Sequence, residues 1–147
     1  MFAYVLIRQV ACGLLYAAAS ISQVQSQQSS TPSRPSAIDI ELFLPVHTAA
    51  MTVGAFEAQR RPTGVSQPFF LVGCDAYSLA WIEKNRDRLR QLQAFGLVVE
   101  APDAQAYRRL TALAEGLLIR PVAGNAIAKY LRIDKYPALI TADGILP

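Results

Sequence analysis

Apolar and polar residues alternate with regular periods along most of the chain from residue 38 onward. Residues 38–46 place an apolar side chain at every second position, which predicts a half-buried strand ended by Pro45. Phe69–Gly73 is a continuous apolar run of strand length, as expected for a strand covered on both faces. Residues 97–99 form a second run of this kind. The pattern therefore predicts a sheet with a buried centre.

Segments with apolar residues at helical spacing lie between and after these apolar runs. Asp75 is suited to be the N-cap of a helix that begins at Ala76, and apolar residues recur at helical spacing as far as Phe95. Gly96 is the expected C-terminal stop of this helix. A second helix is predicted to open at residues 102–103 and to carry apolar residues as far as Leu117, and a short third helix covers Asn125–Leu131.

Two regions remain to be assigned. Residues 48–59 are compatible with a short helix, followed by a loop over residues 60–64. Towards the C-terminus, residues 118–120 are expected to be extended and to end at Pro121. An apolar strand over residues 136–141 is expected to turn at residues 142–144 and return as a hairpin.

The predicted order is strand, helix, strand, helix, strand, strand. Long crossovers make the first two strands parallel, and the tight final turn makes the last pair antiparallel. This is an α/β fold with a thioredoxin-like mixed sheet and flanking helices. A Rossmann or flavodoxin-like fold is disfavoured, because the turn after the first buried strand has one glycine, Gly73, and offers no phosphate cradle.

The N-terminal residues 1–19 are typical of a signal peptide. They contain Arg8 and no acid, then an apolar run over residues 10–16, and end in small residues that fit cleavage near Ala19. The run is shorter than the roughly 20 residues that span a bilayer, although an uncleaved anchor helix is the alternative. A lipoprotein signal through Cys12 is disfavoured, since Gln9 stands where such a signal has Leu. Residues 20–37 are rich in Gln, Ser and Pro and predict a disordered polar linker, so the domain covers residues 38–147.

Composition narrows the classes of function. The chain of 147 residues is 52% hydrophobic and 17% charged, which suits one packed domain. The net charge of +3 comes from scattered basic residues, so no direct nucleic-acid binding is expected. His47 is the single histidine and Cys74 the single cysteine after signal cleavage. These residues cannot close a metal site, and we expect no metal and no cofactor.

Cys74 is the candidate thiol. A helix N-terminus would lower its pKa, whereas the neighbouring Asp75 would raise it by like-charge repulsion. A dithiol oxidoreductase needs a second cysteine three positions on, where Tyr77 stands. We therefore expect no catalytic residue and a largely structural role for Cys74. A pairing of His47 with Cys74 has no support in the sequence.

Three local motifs carry a resemblance to a known family. They are Gly73-Cys74-Asp75 with Ser78 and Trp81, then the run Gly96-Leu97-Val98-Val99, and finally the stretch from Tyr136 to Thr141 with Gly144-Ile145. Together they resemble an uncharacterised, DUF2859-like family encoded by integrating conjugative elements and related to the F-type TrbC and TraW thioredoxin-like conjugation proteins. The resemblance covers residues 69–145, about half the chain.

The resemblance implies a setting and no catalytic residue. The setting is the periplasm of a Gram-negative cell, within a conjugative machine similar to type IV secretion, where the partners are other proteins of that machine and no stable membrane insertion follows signal cleavage. In thioredoxins a cis-proline lines the peptide-binding groove. If Pro137 is cis, it would sit beside Cys74, whereas a trans proline would simply begin a strand. The candidate protein-binding groove consists of Cys74, Asp75, Tyr77, Tyr136 and Pro137.

Two functions follow from these expectations. The first is a non-enzymatic structural or assembly component of a conjugative DNA-transfer apparatus. The second is a single-cysteine thiol protein that forms mixed disulfides with exported partners. They differ at Cys74, because only the second requires its thiol.

Overall fold

The computed structural model describes residue 40 and residues 42–147. The described residues form a mixed α/β structure with three helices, α1 (Ala76–Gln91), α2 (Ala104–Leu113) and α3 (Asn125–Leu131). Its strands are β1 (Thr52–Val53), β2 (Gln59–Arg60), β3 (Phe69–Gly73), β4 (Phe95–Glu100), β5 (Ile119–Pro121), β6 (Lys135–Tyr136), β7 (Ala138–Thr141) and β8 (Gly144–Leu146). The predicted signal peptide (1–19), the linker (20–37) and the start of the domain at residue 38 lie outside the described residues.

Six of the strands form one mixed sheet in the order β2-β8-β7-β3-β4-β5. β3, β4 and β5 run parallel, and β7 lies antiparallel to β3 on its other side. β7 and β8 form an antiparallel hairpin, with Ile140 opposite Ile145. The predicted parallel pair and the predicted C-terminal hairpin are both confirmed. β1 and β6 form a separate parallel pair.

The central strand β3 is buried on both faces. Phe70 and Val72 point into one apolar cluster, which α1 and α2 cover. Leu71 points into a second cluster on the other face, which includes Leu131 of α3. The continuous apolar run predicted a strand of this kind, since neither face meets water.

Side-chain caps begin the first two helices. The Asp75 carboxylate accepts a hydrogen bond of 2.8 Å from the backbone N–H of Ser78. The Asp103 carboxylate accepts one of 2.7 Å from Ala106 at the start of α2. Both helices therefore start where the sequence predicts, because a carboxylate satisfies an N–H that has no partner within its helix.

The strand predicted over residues 38–46 is wrong in its described part. The N–H of Phe43 donates to the carbonyl of Ile40 over 3.0 Å, which closes a turn, and only Val46 pairs with Ala101 in an isolated antiparallel bridge. Ile40 and Leu44 pack on the core, whereas Leu42 between them is 80% exposed. A strand would have put these three side chains on one face. The turn instead buries two residues four positions apart.

The short helix considered for residues 48–59 is also absent. Thr52–Val53 pairs with Lys135–Tyr136 as β1 and β6, and Gln59–Arg60 pairs with Gly144–Ile145. Both pairings join residues more than 80 positions apart. Local periodicity therefore could not have predicted them, because tertiary pairing overrides a marginal helical pattern.

Gly96 does not end the first helix. α1 stops at Gln91 with Leu92 as its C-cap, and Gln93 takes a left-handed φ of 50°. Gly96 lies inside β4, where a Cβ atom would stand 2.5 Å from the side chains of Phe70 and Ile119. The glycine is needed for packing across the sheet.

Two other boundaries differ from those predicted. α2 ends at Leu113, so Leu117 lies beyond it. The strand expected over residues 136–141 is divided at Pro137 into β6 and β7, and the Tyr136–Pro137 peptide bond is cis. A proline has no N–H to contribute to a strand ladder, so the two halves pair with different neighbours.

Candidate functional site

The candidate site is built at the carboxyl ends of β3 and β4. The register shifts after Val72, so that Gly73 lies beside Glu100 at the end of the neighbouring strand. Cys74 follows directly, and its backbone N–H donates to the carbonyl of Glu100 over 2.9 Å. The cysteine is thereby fixed at the end of the sheet, one residue before the cap of α1.

Ser78 fixes the shape of the turn that holds Cys74. Its side chain is fully buried, and its hydroxyl donates to the Asp75 carboxylate over 2.9 Å. The same hydroxyl oxygen accepts the N–H of Gly73 over 3.0 Å. The last residue of β3 and the cap of α1 are therefore tied to one hydroxyl, with Cys74 between them.

The ring of Tyr136 packs against this turn. A Cβ atom on Gly73 would stand 2.6 Å from the Tyr136 ring and 2.5 Å from the Asp75 carboxylate. Only a residue without a side chain leaves room for both groups. The structure therefore brings Asp75 and Tyr136 together with the turn that carries Cys74.

The other two predicted groove residues lie at the margins of the turn. Pro137 is buried next to Tyr136, which is itself only 5% exposed. Tyr77, on the first turn of α1, is 49% exposed. Tyr77 is therefore the predicted groove residue with the most surface to offer a partner.

The pKa of the Cys74 thiol is raised to about 11, first by burial and then, in decreasing order, by the carboxylates of Asp75, Asp103 and Glu100. The direction is the one that the sequence predicts from Asp75. The helix N-terminus, which favours a thiolate, is outweighed by desolvation and by three acids. Cys74 is a protonated thiol at neutral pH.

Two tyrosines share this environment. The pKa of Tyr136 is raised to about 12, first by burial and then, in decreasing order, by Asp75, Glu100 and Cys74. Burial also raises the pKa of Tyr107, against an opposing effect of Arg120. Both phenols keep their protons at neutral pH, so the negative charge around Cys74 comes from carboxylates.

Glu100 is the residue of this site that the sequence did not single out. Its carboxylate accepts a hydrogen bond of 2.8 Å from Nδ1 of His47 and one of 3.3 Å from the N–H of Thr48. The sequence does offer one signal for it. Glu100 is a charged residue at the end of a buried strand, and the carboxyl ends of neighbouring parallel strands lie at the same edge of the sheet. His47 and Cys74 thus both meet Glu100, through its side chain and its backbone respectively.

Thr48 joins this edge to α3. Its hydroxyl donates to the carbonyl of Val99 over 2.7 Å and accepts the N–H of Gly124 over 2.8 Å. The side chain is fully buried. Because both partners are backbone groups, Thr48 holds the segment before β1 between β4 and the start of α3.

A family model described as a protein of unknown function (DUF2859) matches residues 8–145. The chain belongs to the DUF2859 family. No curated protein and no solved structure matches it. The match confirms the DUF2859-like family inferred from the three motifs, and every residue of the Cys74 turn lies inside it.

The described part of this DUF2859 protein contains no group of three or more His, Cys, Asp or Glu side chains that could hold a metal ion. The acids around Cys74 therefore act on the thiol as separate charges. Within the same residues, no helix is both long enough and apolar enough to cross a membrane.

A cavity of about 560 Å³ in this DUF2859 protein does not have Cys74 among its lining residues. It is bordered by Phe43, by the end of α2 and by β5, and Leu118 on its rim is 60% exposed. Tyr107 lines this cavity, and its hydroxyl donates to the carbonyl of Ile119 over 3.2 Å. Cys74 is one of the groups that raise the pKa of Tyr107. Tyr107 thus connects this cavity with the surroundings of the Cys74 thiol.

Proposed function

We propose that this DUF2859 protein is an exported, non-enzymatic structural or assembly component of a conjugative DNA-transfer apparatus similar to type IV secretion. Its domain has a thioredoxin-like fold that acts as a platform for other proteins of the apparatus. The strand order β8-β7-β3-β4 supports this fold, since β3 and β4 are parallel around α1 and β7 and β8 form a hairpin beside β3.

The observation that carries the proposal is the state of the thiol at the β3–α1 turn. The turn packs against Tyr136, the residue before the cis proline, yet Tyr77 stands where a second cysteine would resolve a mixed disulfide. The pKa of about 11 leaves less than about one thiol in a thousand ionised at pH 7. A surface with this geometry and an unreactive thiol suits binding better than redox chemistry.

The binding surface extends outward from the buried part of the groove. Tyr136 and Pro137 are its buried members, whereas Asp75 is partly exposed and Tyr77 is about half exposed. Aromatic side chains with a free polar end are common anchors in protein interfaces. The partner is a protein of the same transfer machine, and neither direct nucleic-acid binding nor stable membrane insertion is part of the proposal.

The binding role is tested by purifying a tagged full-length chain from cells that carry its neighbouring genes. Products of those genes, identified by mass spectrometry, should co-purify equally with the wild type and with Cys74→Ser, and transfer frequency should be unchanged. Tyr77→Ser should reduce both, whereas Leu118→Ser, which removes an exposed apolar side chain at the other edge, should not.

The mixed-disulfide function gives the opposite result in this experiment. Capture would then be lost in Cys74→Ser, and the captured partner would be released by dithiothreitol. Such a result would reject the binding platform.

Export is tested separately by N-terminal sequencing of the protein from a periplasmic extract. A mature chain that begins near Ser20 is expected. An intact Met1 in the membrane fraction would support the uncleaved anchor instead.

A further inference from the structure

A second concavity lies at the opposite end of the domain from Cys74 and is lined by basic and polar side chains. Its volume is about 430 Å³, and its lining residues are Gln59, Arg61, Pro62, Thr63, Tyr130 and Arg132. It contains two guanidinium groups and no acidic side chain. We propose that this pocket binds a phosphate group carried by a ligand.

The walls of the pocket are held by hydrogen bonds across the fold. Arg61 donates through Nη2 to the carbonyl of Leu131 at the end of α3, and through Nε to Oε1 of Gln59 over 3.2 Å. Thr63 is buried, and its hydroxyl donates to the carbonyl of Thr141 over 2.5 Å. Tyr130 donates from its hydroxyl to the carbonyl of Thr63 over 3.4 Å. The pocket is thus formed before any ligand binds.

The same hydrogen bonds indicate which kind of ligand the pocket suits. Three acceptors around the pocket each receive a hydrogen bond from within it: Oε1 of Gln59 and the carbonyl of Leu131 from Arg61, and the carbonyl of Thr63 from Tyr130. The side-chain groups of the pocket that have no hydrogen-bond partner within the described residues are donors, namely the Nη1 group of Arg61, the amide nitrogen of Gln59 and the whole guanidinium of Arg132. A site whose unpaired groups are mainly cationic donors favours an oxyanion.

Charge favours phosphate over a single carboxylate. Within the described residues, neither Arg61 nor Arg132 has a carboxylate within 4.0 Å, so two positive charges share one concavity. A phosphate monoester carries a charge of about −1.5 to −2 near neutral pH, which matches two guanidinium groups, whereas a carboxylate carries −1. Arginine forks also bind phosphate oxygens in pairs.

The probe for the test is inorganic phosphate, titrated into the full-length chain at constant ionic strength. Side-chain Nε–Hε resonances of Arg61 and Arg132 should shift in a saturable way. Arg132→Gln should weaken binding about tenfold, as expected for the loss of a charge-assisted hydrogen bond, and Arg132→Lys should recover part of the loss. Arg132 is the residue to change first, because Arg61 also holds the end of α3.

The matched control is Arg109→Gln, which removes the same charge from an exposed position on α2. Phosphate binding should be unchanged in this variant. Equal weakening by Arg109→Gln would show that net charge alone attracts the anion, and an absence of saturable shifts in the wild type would likewise overturn the proposal.

Two arms separate the source of the phosphate. Sedimentation with phosphatidic acid vesicles that depends on Arg132 would identify a lipid headgroup as the ligand. Saturable phosphate binding without vesicle binding would identify a soluble phosphate ester. Acetate at the same concentration should bind more weakly than phosphate, and tighter binding of acetate would reject the phosphate proposal in favour of a carboxylate.

Discussion

The hydroxyl of Ser78 donates to the carboxylate of Asp75 over 2.9 Å while it accepts the backbone N–H of Gly73. One buried oxygen thus connects the end of β3 with the cap of α1. The Cys74 turn depends on this oxygen, because it accepts the buried N–H of Gly73.

Ser78→Ala should therefore destabilise the protein by about 1–3 kcal/mol, the cost of leaving a buried donor without a partner. The free energy of unfolding in urea measures the loss. Ser66→Ala, at an exposed position, is the matched control and should change stability by less than about 0.5 kcal/mol. Equal effects of the two substitutions would mean that Ser78 does not hold the turn.

The Cys74 thiol should react slowly with iodoacetamide at neutral pH, and its rate should rise with pH towards a midpoint of about 11. Glu100→Gln should move that midpoint to lower pH, because it removes one of the negative charges that oppose ionisation. Glu83→Gln, on the exposed face of α1, should leave the midpoint unchanged. Rapid reaction as a thiolate at pH 6 would contradict this description of the site.

Stability should fall as pH rises from about 9 to about 12. The folded protein raises the pKa of Cys74 from 9.0 to about 11 and that of Tyr136 from 10.0 to about 12, so it binds more protons than the unfolded chain in this window. The free energy of unfolding then decreases with pH, and these groups have no effect at pH 7, where they are protonated in both states.

Denaturation at a series of pH values tests this dependence. Cys74→Ser should flatten the decline at its lower end, and Tyr136→Phe should flatten it at its upper end. A wild-type stability that stays constant between pH 9 and 11 would contradict the raised pKa values.

Gly96→Ala should destabilise by about 1–3 kcal/mol, because a Cβ atom would stand 2.5 Å from Phe70 and Ile119 in a packed layer. Gly54→Ala is the matched control. There the nearest atoms belong to the flexible side chain of Lys135, at 3.6 Å and beyond. Thermal or urea unfolding of the two variants should separate them clearly, and a stable Gly96→Ala protein would show that β4 can move away from its neighbours.

The sequence predicted the elements whose cause is local. Phe69–Gly73 is apolar because it is buried on both faces, and Asp75 caps α1 because the first N–H groups of a helix need an acceptor nearby in sequence. These features depend on residues a few positions apart, so pattern and spacing were sufficient to find them.

The features that the sequence missed depend on distant partners. Gly96 was expected to end a helix. In the structure a glycine is needed there because the side chains of Phe70 and Ile119 leave no room for a Cβ atom. Glu100 gained its role only when β4 was placed beside β3 and the segment with His47 was placed over both. Periodicity carries no information on such contacts, which is also why the ambiguous pattern of residues 48–59, compatible with a short helix, did not reveal the two strands β1 and β2.

The division of the core by β3 has a thermodynamic consequence. Leu89 belongs to the cluster on one face of the sheet and Leu131 to the cluster on the other, with no buried residue common to both clusters. Truncation of either to alanine should cost about 2–5 kcal/mol. Because the two cavities would have no lining residue in common, the two losses of stability should be additive, with no coupling energy between them. The two apolar clusters are therefore expected to respond to truncation as separate cores, although both belong to one sheet.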